Sequence, residues 1–332
     1  MFKEIKEIDY INHCRVSDLD YWSRKLGNFD KQLFNSKLNR AQKKKLFKDN
    51  IDIVNLELSS YCNRECGYCP VSKYKRNYKS NISNKLLNKI LSELALINYD
   101  KQISLNLYNE PLENTETFLN HIKHIRKHLP NSILHTNSNG DFIKNNKIFY
   151  DLEKAGLNKI KLTLHAPKNK KWEFEMMKNF FNKFIKKINF DIVATNRKEL
   201  KCFLKYKNLA IVIQSPDWQS YGNDRSQTIE TAVKINQRIQ PCVKPFRQFT
   251  IYMDGSITQC CEAYYDKKTY KLNLIDNLNK NSIFDAYTSE ALSNIRKELF
   301  DWSEKRNICA TCSTSDLSVI EDDKLRKNIL NN

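Results

Sequence analysis

The chain has 332 residues, 40% of them apolar and 11% aromatic, and its 56 Lys and Arg against 38 Asp and Glu give a formal charge of +18. This length and composition supply a packed core, predict one large domain with a smaller one beside it, and exclude disordered and fibrous classes. No apolar run is long enough to cross a bilayer and Met1–Tyr10 lacks the apolar stretch of a secretory signal, so a cytoplasmic location is expected, where ten cysteines are more readily metal ligands than disulfides.

Residues 1–49 are polar and mostly helical in pattern, an N-terminal extension whose role is not legible; Cys14 has no cysteine near it and reads as a structural thiol. The positive charge is mostly lysine spread along the chain, which reads as a solvated surface more than as a nucleic-acid footprint. Ile51–Leu58 alternates, is rich in branched residues, and reads as the first strand. It runs into Tyr61-Cys62-Asn63-Arg64-Glu65-Cys66-Gly67-Tyr68-Cys69-Pro70, where three thiols fall within eight residues separated by polar side chains. Buried structural cysteines do not cluster this way, whereas metal ligands do. A structural zinc ion closes its tetrahedron with four ligands. Three, with no fourth nearby, leave one position open and suit a cubane iron-sulfur cluster with one free iron.

Leu86, Leu87, Ile90, Leu91, Leu94 and Leu96 predict a helix over Asn84–Ile97, followed by a strand over Ile103–Tyr108. The cycle repeats with a helix over Thr115–His128, a strand over Ser132–Asn137, a short helix ending at Ala155-Gly156 and a strand over Lys159–Leu164. A helix over Trp172–Lys187, a strand around Phe190–Thr195, a helix around Lys198–Tyr206 and a strand over Leu209–Ser215 complete about six strand-helix units in residues 50–240, before the loop Pro216–Arg225, whose aromatic and charged residues read equally as substrate contacts or as a surface loop. In parallel α/β folds the site gathers at the C-terminal ends of the strands, where the first strand meets the cysteines.

From Pro241 the pattern changes. Cys242 precedes a strand over Gln248–Met253, an Asp254-Gly255 hairpin turn, a return strand Ser256–Gln259 and Cys260-Cys261; after a helix over Ser282–Phe300 come Cys309 and Cys312. Four cysteines in two groups suit zinc or an iron-sulfur cluster equally by count. Cys261 rivals Cys260, since adjacent residues do not readily face one site. These features predict a second unit over 241–320 and a tail over 321–332.

The Cys62-x3-Cys66-x2-Cys69 spacing, with Tyr68 as the aromatic before the last cysteine, resembles the radical S-adenosylmethionine (SAM) enzymes. The resemblance implies a partial (β/α)6 TIM-like barrel, a [4Fe-4S] cluster on Cys62, Cys66 and Cys69, and SAM on the cluster's fourth iron. Reductive cleavage would yield a 5'-deoxyadenosyl radical that abstracts a substrate hydrogen. Asn109-Glu110-Pro111 stands where the family has Gly-Gly-Glu-Pro against the SAM amino group; Asn137, Thr163 and His165 stand at its further SAM- or substrate-facing positions. Residues Cys242, Gly255-x4-Cys260, Cys309 and Cys312 resemble the SPASM and twitch C-terminal domains, a small α+β unit, which implies one auxiliary [4Fe-4S] cluster as electron acceptor. The resemblance further implies flavodoxin or ferredoxin as electron donor and no membrane partner. The substrate is expected to be a peptide or protein side chain that is oxidised or crosslinked, with dehydrogenation or epimerisation of a sugar or aminocyclitol as the alternative, epimerisation requiring Cys261 or Cys202 to donate a hydrogen atom. A zinc-bearing RNA-binding protein is the alternative of another class.

Overall fold

Alternation of apolar strands with amphipathic helices builds a single sheet of ten strands in the computed structural model, which describes residues 2–6, 18–167, 170–190, 200–218, 223–230, 236–313 and 323–331. The strands are β1 (Phe2–Glu4), β2 (Ile53–Leu56), β3 (Gln102–Ser104), β4 (Ile133–Ser138), β5 (Lys159–Thr163), β6 (Leu200–Tyr206), β7 (Leu209–Ser215), β8 (Gln248–Ile251), β9 (Ser256–Thr258) and β10 (Asp276–Asn277). Their spatial order is β1-β6-β7-β5-β4-β3-β2-β8-β9-β10. The six strands from β7 across to β8 run parallel; antiparallel strands flank them on both sides, so the α/β sheet stays open and no closed barrel forms. The expected strand around Phe190–Thr195, Cys14 and part of the Pro216–Arg225 loop lie outside the described residues.

Two expectations are corrected. The segment expected as a helix around Lys198–Tyr206 is strand β6, antiparallel to β7 with Leu200 opposite Ser215 and Tyr206 opposite Leu209. Leu200, Cys202 and Leu204 are buried in alternation with Lys201, Phe203 and Lys205, a period of two that no helix offers. The sixth parallel strand is instead β8, from beyond Cys242, which lies beside β2 with Asn55 opposite Thr250. The helix expected over Ser282–Phe300 is two, Ile283–Tyr287 and Glu290–Phe300, because Ser289 accepts a hydrogen bond from the Leu292 N–H and starts a new one.

The covering helices follow their apolar spacing. Helix α1 (Asp18–Lys25) and α2 (Arg40–Asn50) precede β2, and α2 opens on a capping box between Asn39 and Gln42. Helices α3 (Asn84–Ala95), α4 (Thr115–His128) and α5 (Lys147–Ala155) follow the first parallel strands and bury their leucine, isoleucine and phenylalanine faces, and α5 ends on Gly156 at φ +101°. The N-terminal extension is fastened to the C-terminal segment. Trp22 is fully buried against Phe246 and Phe300, and Arg296, also buried, donates to the carbonyls of Leu33, Pro245 and Tyr287. Among the described residues no helix is long and apolar enough to cross a membrane.

Candidate metal centres and cofactor site

Strand β2 ends at Leu56, and the chain turns through Glu57–Ser60 into the cysteine loop. Four side-chain contacts pin that loop over the ends of β4 and β5. Arg64 grips Asp141 with both prongs at 2.6 Å, donates to the Ala166 carbonyl at 3.1 Å, and Asn63 donates to Asp141 while accepting from Asn139. A planar bidentate pair of this kind fixes orientation as well as position. On the other side Arg76 is enclosed between Glu57 at 2.8 Å and Asp266 at 3.2 Å, and Glu57 also accepts the Tyr108 N–H.

The loop closes a cavity of about 310 Å³ at the C-terminal ends of the parallel strands, lined by Cys62, Cys66 and Cys69 together with every further position expected from the sequence: Tyr68, Asn109, Glu110, Asn137, Thr163 and His165. Cys62, Arg64, Cys66, Tyr68 and His165 also face a wider recess of about 670 Å³ on the far side of the loop. The Glu110 carboxylate accepts from the Leu112 N–H at 2.9 Å, the Ser138 hydroxyl at 2.8 Å and the Asn139 N–H at 2.6 Å. Burial nevertheless pushes its pKa up to about 7. Asn109 spends its amide on the protein, donating to Ser59 and accepting from the Leu107 N–H, so it fastens the turn that glycines occupy elsewhere. The Tyr68 phenol meets His165 Nδ1, and burial, aided by the Arg64 guanidinium, pushes His165 down to about 4.

The three thiols fit a metal cluster by their electrostatics. Burial pushes Cys62 up to about 12 and raises Cys66 and Cys69 as well, so without a cation these groups stay neutral. Bound iron reverses that balance and deprotonates a coordinating thiol. Among the described residues no three His, Cys, Asp or Glu side chains are gathered in the geometry of a single bound ion.

Cys242, Cys260, Cys309 and Cys312 come from three separated segments. Burial raises Cys309, and negative charge on Cys260, Cys242 and Cys312, in that order, raises it further, which places the four within electrostatic reach of one another. Two sulfurs already accept hydrogen bonds, Cys309 from Gln259 at 3.0 Å and Cys312 from Asn223 at 3.3 Å, the contacts that tune thiolates around a cluster. Cys261 lines the first cavity instead, its thiol 3.4 Å from Gln248 Oε1 and 3.9 Å from Lys244 Nζ. Cys202 lies in the core of β6, opposite Ile213, and does not line the cavity.

The Pro216–Arg225 loop, whose aromatic and charged residues the sequence offers as substrate contacts, brings Trp218 and Arg225 to the cavity lining. Arg225 pairs with Glu262, and Glu262 pairs with Lys244 at 2.8 Å. Sequence reasoning missed Glu262 and Lys244, although they stand beside metal-type cysteines, a signal that was readable. Arg225, Ser226 and Gln227 are three consecutive left-handed residues at this wall.

Comparison with known proteins agrees with this geometry. SPASM, an iron-sulfur cluster-binding domain, matches residues 242–313. The chain is 21% identical over 264 residues, 79% of its length and 92% of the relative's, to an S-adenosyl-L-methionine-dependent 2-deoxy-scyllo-inosamine dehydrogenase of Niallia circulans. Its fold is similar to that of crystalline BtrN in complex with AdoMet and 2-DOIA, with a TM-score of 0.58 and 19% identity, covering 81% of this chain and 95% of BtrN. An open conformation of BtrN aligns with a TM-score of 0.52 and 18% identity, covering 80% and 92%. With a fold shared along most of both chains and an iron-sulfur cluster-binding domain matched where the second thiol group stands, the zinc reading gives way, and the findings together support a radical S-adenosylmethionine protein with a SPASM-type C-terminal domain and with S-adenosylmethionine and iron-sulfur clusters as cofactors.

Proposed function

We propose that this protein is a radical SAM dehydrogenase that oxidises a carbinol carbon of a small polyhydroxylated or aminated ring, the sugar or aminocyclitol class. Cys62, Cys66 and Cys69 hold the cluster that binds SAM, and Cys242, Cys260, Cys309 and Cys312 hold the auxiliary cluster. The observation that carries the reading is one cavity lined both by Cys62, Cys66 and Cys69 and by Arg225 and Cys261, the neighbour of Cys260. A substrate bound there would be within reach of both thiol groups.

When bound, the first cluster and SAM supply a 5'-deoxyadenosyl radical that takes a hydrogen atom from substrate; the protein supplies placement and exclusion of water. Glu110 presents a carboxylate to the cofactor's ammonium, and Asn137, Thr163 and Ser138 give hydrogen-bonding groups along the same rim. Arg225, held by Glu262, would hold and orient the substrate oxygen. Cys242, Cys260, Cys309 and Cys312 would hold an auxiliary cluster with no ligand position left for substrate, which would supply an acceptor for the remaining electron. The aminocyclitol class is preferred to the peptide substrate expected from the basic surface because the curated relative is a 2-deoxy-scyllo-inosamine dehydrogenase and Asn106, Asn137, Ser138 and Thr163 give the cavity hydrogen-bonding groups for a small polar ring.

Anaerobically reconstituted protein should hold about eight iron and eight sulfide, the content of two cubanes. Under dithionite it should form 5'-deoxyadenosine, with deuterium transferred from a ring-deuterated aminocyclitol. Zinc without sulfide, or no 5'-deoxyadenosine from intact clusters, would sink the enzyme. Deuterium transfer from a peptide and from no cyclitol would sink the substrate class.

A further inference from the structure

Two rows of side chains, one residue apart, run across the parallel sheet with opposite chemistry. Phe249, Val54, Ile103 and Leu134 stand in register on β8, β2, β3 and β4, all apolar and buried, and Phe249 meets Phe47 and Tyr287 of the covering helices. One residue on, Thr250, Asn55, Ser104, His135 and Lys159 stand in register on β8, β2, β3, β4 and β5, all polar and none more than 7% exposed. Successive residues of a strand face opposite sides of a sheet, so the polar row belongs to the face turned away from those helices. A closed barrel fills that face with branched apolar side chains. A buried polar row is costly unless its members are partnered or meet a polar ligand.

Asn55 and Ser104 are direct neighbours in this row, and both line the cavity of about 310 Å³. Each is held from beside it. The Asn55 amide donates to the Thr250 hydroxyl at 3.3 Å, and the Ser104 hydroxyl lies 3.5 Å from His135 Nδ1. The Asn55 carbonyl oxygen accepts no hydrogen bond among the described residues, and the Ser104 oxygen keeps a free lone pair, so two acceptors on adjacent strands are open to the cavity. Strand spacing sets them about 4.8 Å apart, and two residues of rise set their row about 6.6 Å below Asn137 at the rim. The row also leads to the opposite wall: Gln248, two residues before Thr250 on β8, has Oε1 3.4 Å from the thiol of Cys261, which lines the cavity with Arg225.

We propose that Asn55 and Ser104 are specificity-determining residues that accept hydrogen bonds from ring hydroxyls of the substrate and so select which carbinol C–H meets the radical. The inference rests on the dehydrogenase reading above and names the floor of the same site. A polyhydroxylated ring offers several carbinol carbons of nearly equal chemistry, and abstraction at one of them requires the ring to be fixed in one orientation. Arg225 holds one point from the side, and two acceptors beneath hold two more; three points define an orientation. The row contains no carboxylate and includes a lysine, so it suits neutral hydroxyls rather than an ammonium. It also rejects a ring that lacks the matching hydroxyl, because the acceptors are then left buried without a donor.

The test is binding of 2-deoxy-scyllo-inosamine, the compound in the curated relative's name, to reconstituted holoenzyme with SAM, oxidised clusters and no reductant, so that no turnover is needed. Asn55→Leu and Ser104→Ala should each raise its Kd about tenfold, the worth of one hydrogen bond, and leave the Kd for SAM within about twofold. Analogues lacking one ring hydroxyl at a time give a measurement that needs no variant to fold. One of them should bind the parent about tenfold more weakly, and it should lose no further affinity in Asn55→Leu, because hydroxyl and acceptor form one contact. Under dithionite, with rings deuterated at single positions, the parent should pass deuterium to 5'-deoxyadenosine from one ring carbon and the variants from more than one. Unchanged cyclitol affinity and unchanged positional selectivity in both variants overturn the proposal, as does a loss of affinity confined to SAM. Cyclitol affinity that falls in the variants while the parent transfers no deuterium upholds the floor and strikes the dehydrogenase reading; a parent that binds no cyclitol strikes both.

Discussion

The two thiol groups are built in opposite ways. Cys62, Cys66 and Cys69 lie on one short loop at the end of a buried strand, three in number, and face a cavity. Cys242, Cys260, Cys309 and Cys312 are drawn from three segments, four in number, and lie within electrostatic reach of one another, with Cys309 and Cys312 accepting from the amides of Gln259 and Asn223. A local loop tolerates an open coordination position because arginine and asparagine hold it from outside; a closed set of four assembled over a long stretch contributes to the fold of its own segment. On the function proposed above, the open group would carry the chemistry and the closed group electron storage and support.

The sharpest way to break this contrast is to remove one ligand from the open group. Since loss of an outer-shell partner alone costs ten- to a hundredfold, Cys66→Ala should lower 5'-deoxyadenosine formation under dithionite by more than about 100-fold. Its iron should fall by about half, from two cubanes to one. Loss of all iron would show that the groups are not independent.

Within the closed group, Cys260→Ala should lose the auxiliary cluster, read as iron and sulfide, whereas Cys261→Ala should keep it. The reverse outcome would exchange their roles.

The strap between the regions is next. Arg76 is 3% exposed and pairs with Glu57, 1% exposed, beneath the first loop and with Asp266 in the second region. Arg76→Met leaves two carboxylates buried without a counter-charge and should cost about 3–5 kcal/mol in denaturant unfolding. A loss below about 1 kcal/mol would place the coupling elsewhere.

The smallest expected effect concerns Glu110. Burial lifts its folded-state pKa from 4.5 to about 7, so the folded protein holds a proton that the unfolded chain releases. The corresponding stability is complete below about pH 4.5, is lost as pH rises through about 7, and amounts to at most about 3 kcal/mol. Glu110→Gln should flatten the pH dependence of ligand-free unfolding across that window, and an unchanged profile would remove Glu110 as its source. In the parent, affinity for SAM should rise with pH through the same range, because the cofactor's ammonium needs the carboxylate ionised.

Much of this was legible in the chain. Helix α4 and strand β7 fall where periodicity places them, and the Asp254-Gly255 hairpin turns on a glycine at φ +86° as its dipeptide signals. The Cys-x3-Cys-x2-Cys spacing announced its chemistry because thiols that share one cluster from one loop have to be close in sequence. The strap, the pairing within the charged wall and the strand order were not legible. Arg76 and Asp266 meet across nearly two hundred residues of chain and Arg225 and Glu262 across 37, and no local period records such meetings. Strand β6 was misread because its lysines blur a two-residue alternation that only pairing with β7 makes evident.

Spacing over a few positions was enough to single out two groups of cysteines as candidate metal ligands and to show that strands and helices alternate. Long-range packing alone placed β8 in the parallel sheet beside β2 and brought Cys261 and Arg225 to the lining of the cavity. Those choices depend on long-range packing and on burial of charge against a specific partner, which a linear pattern does not encode.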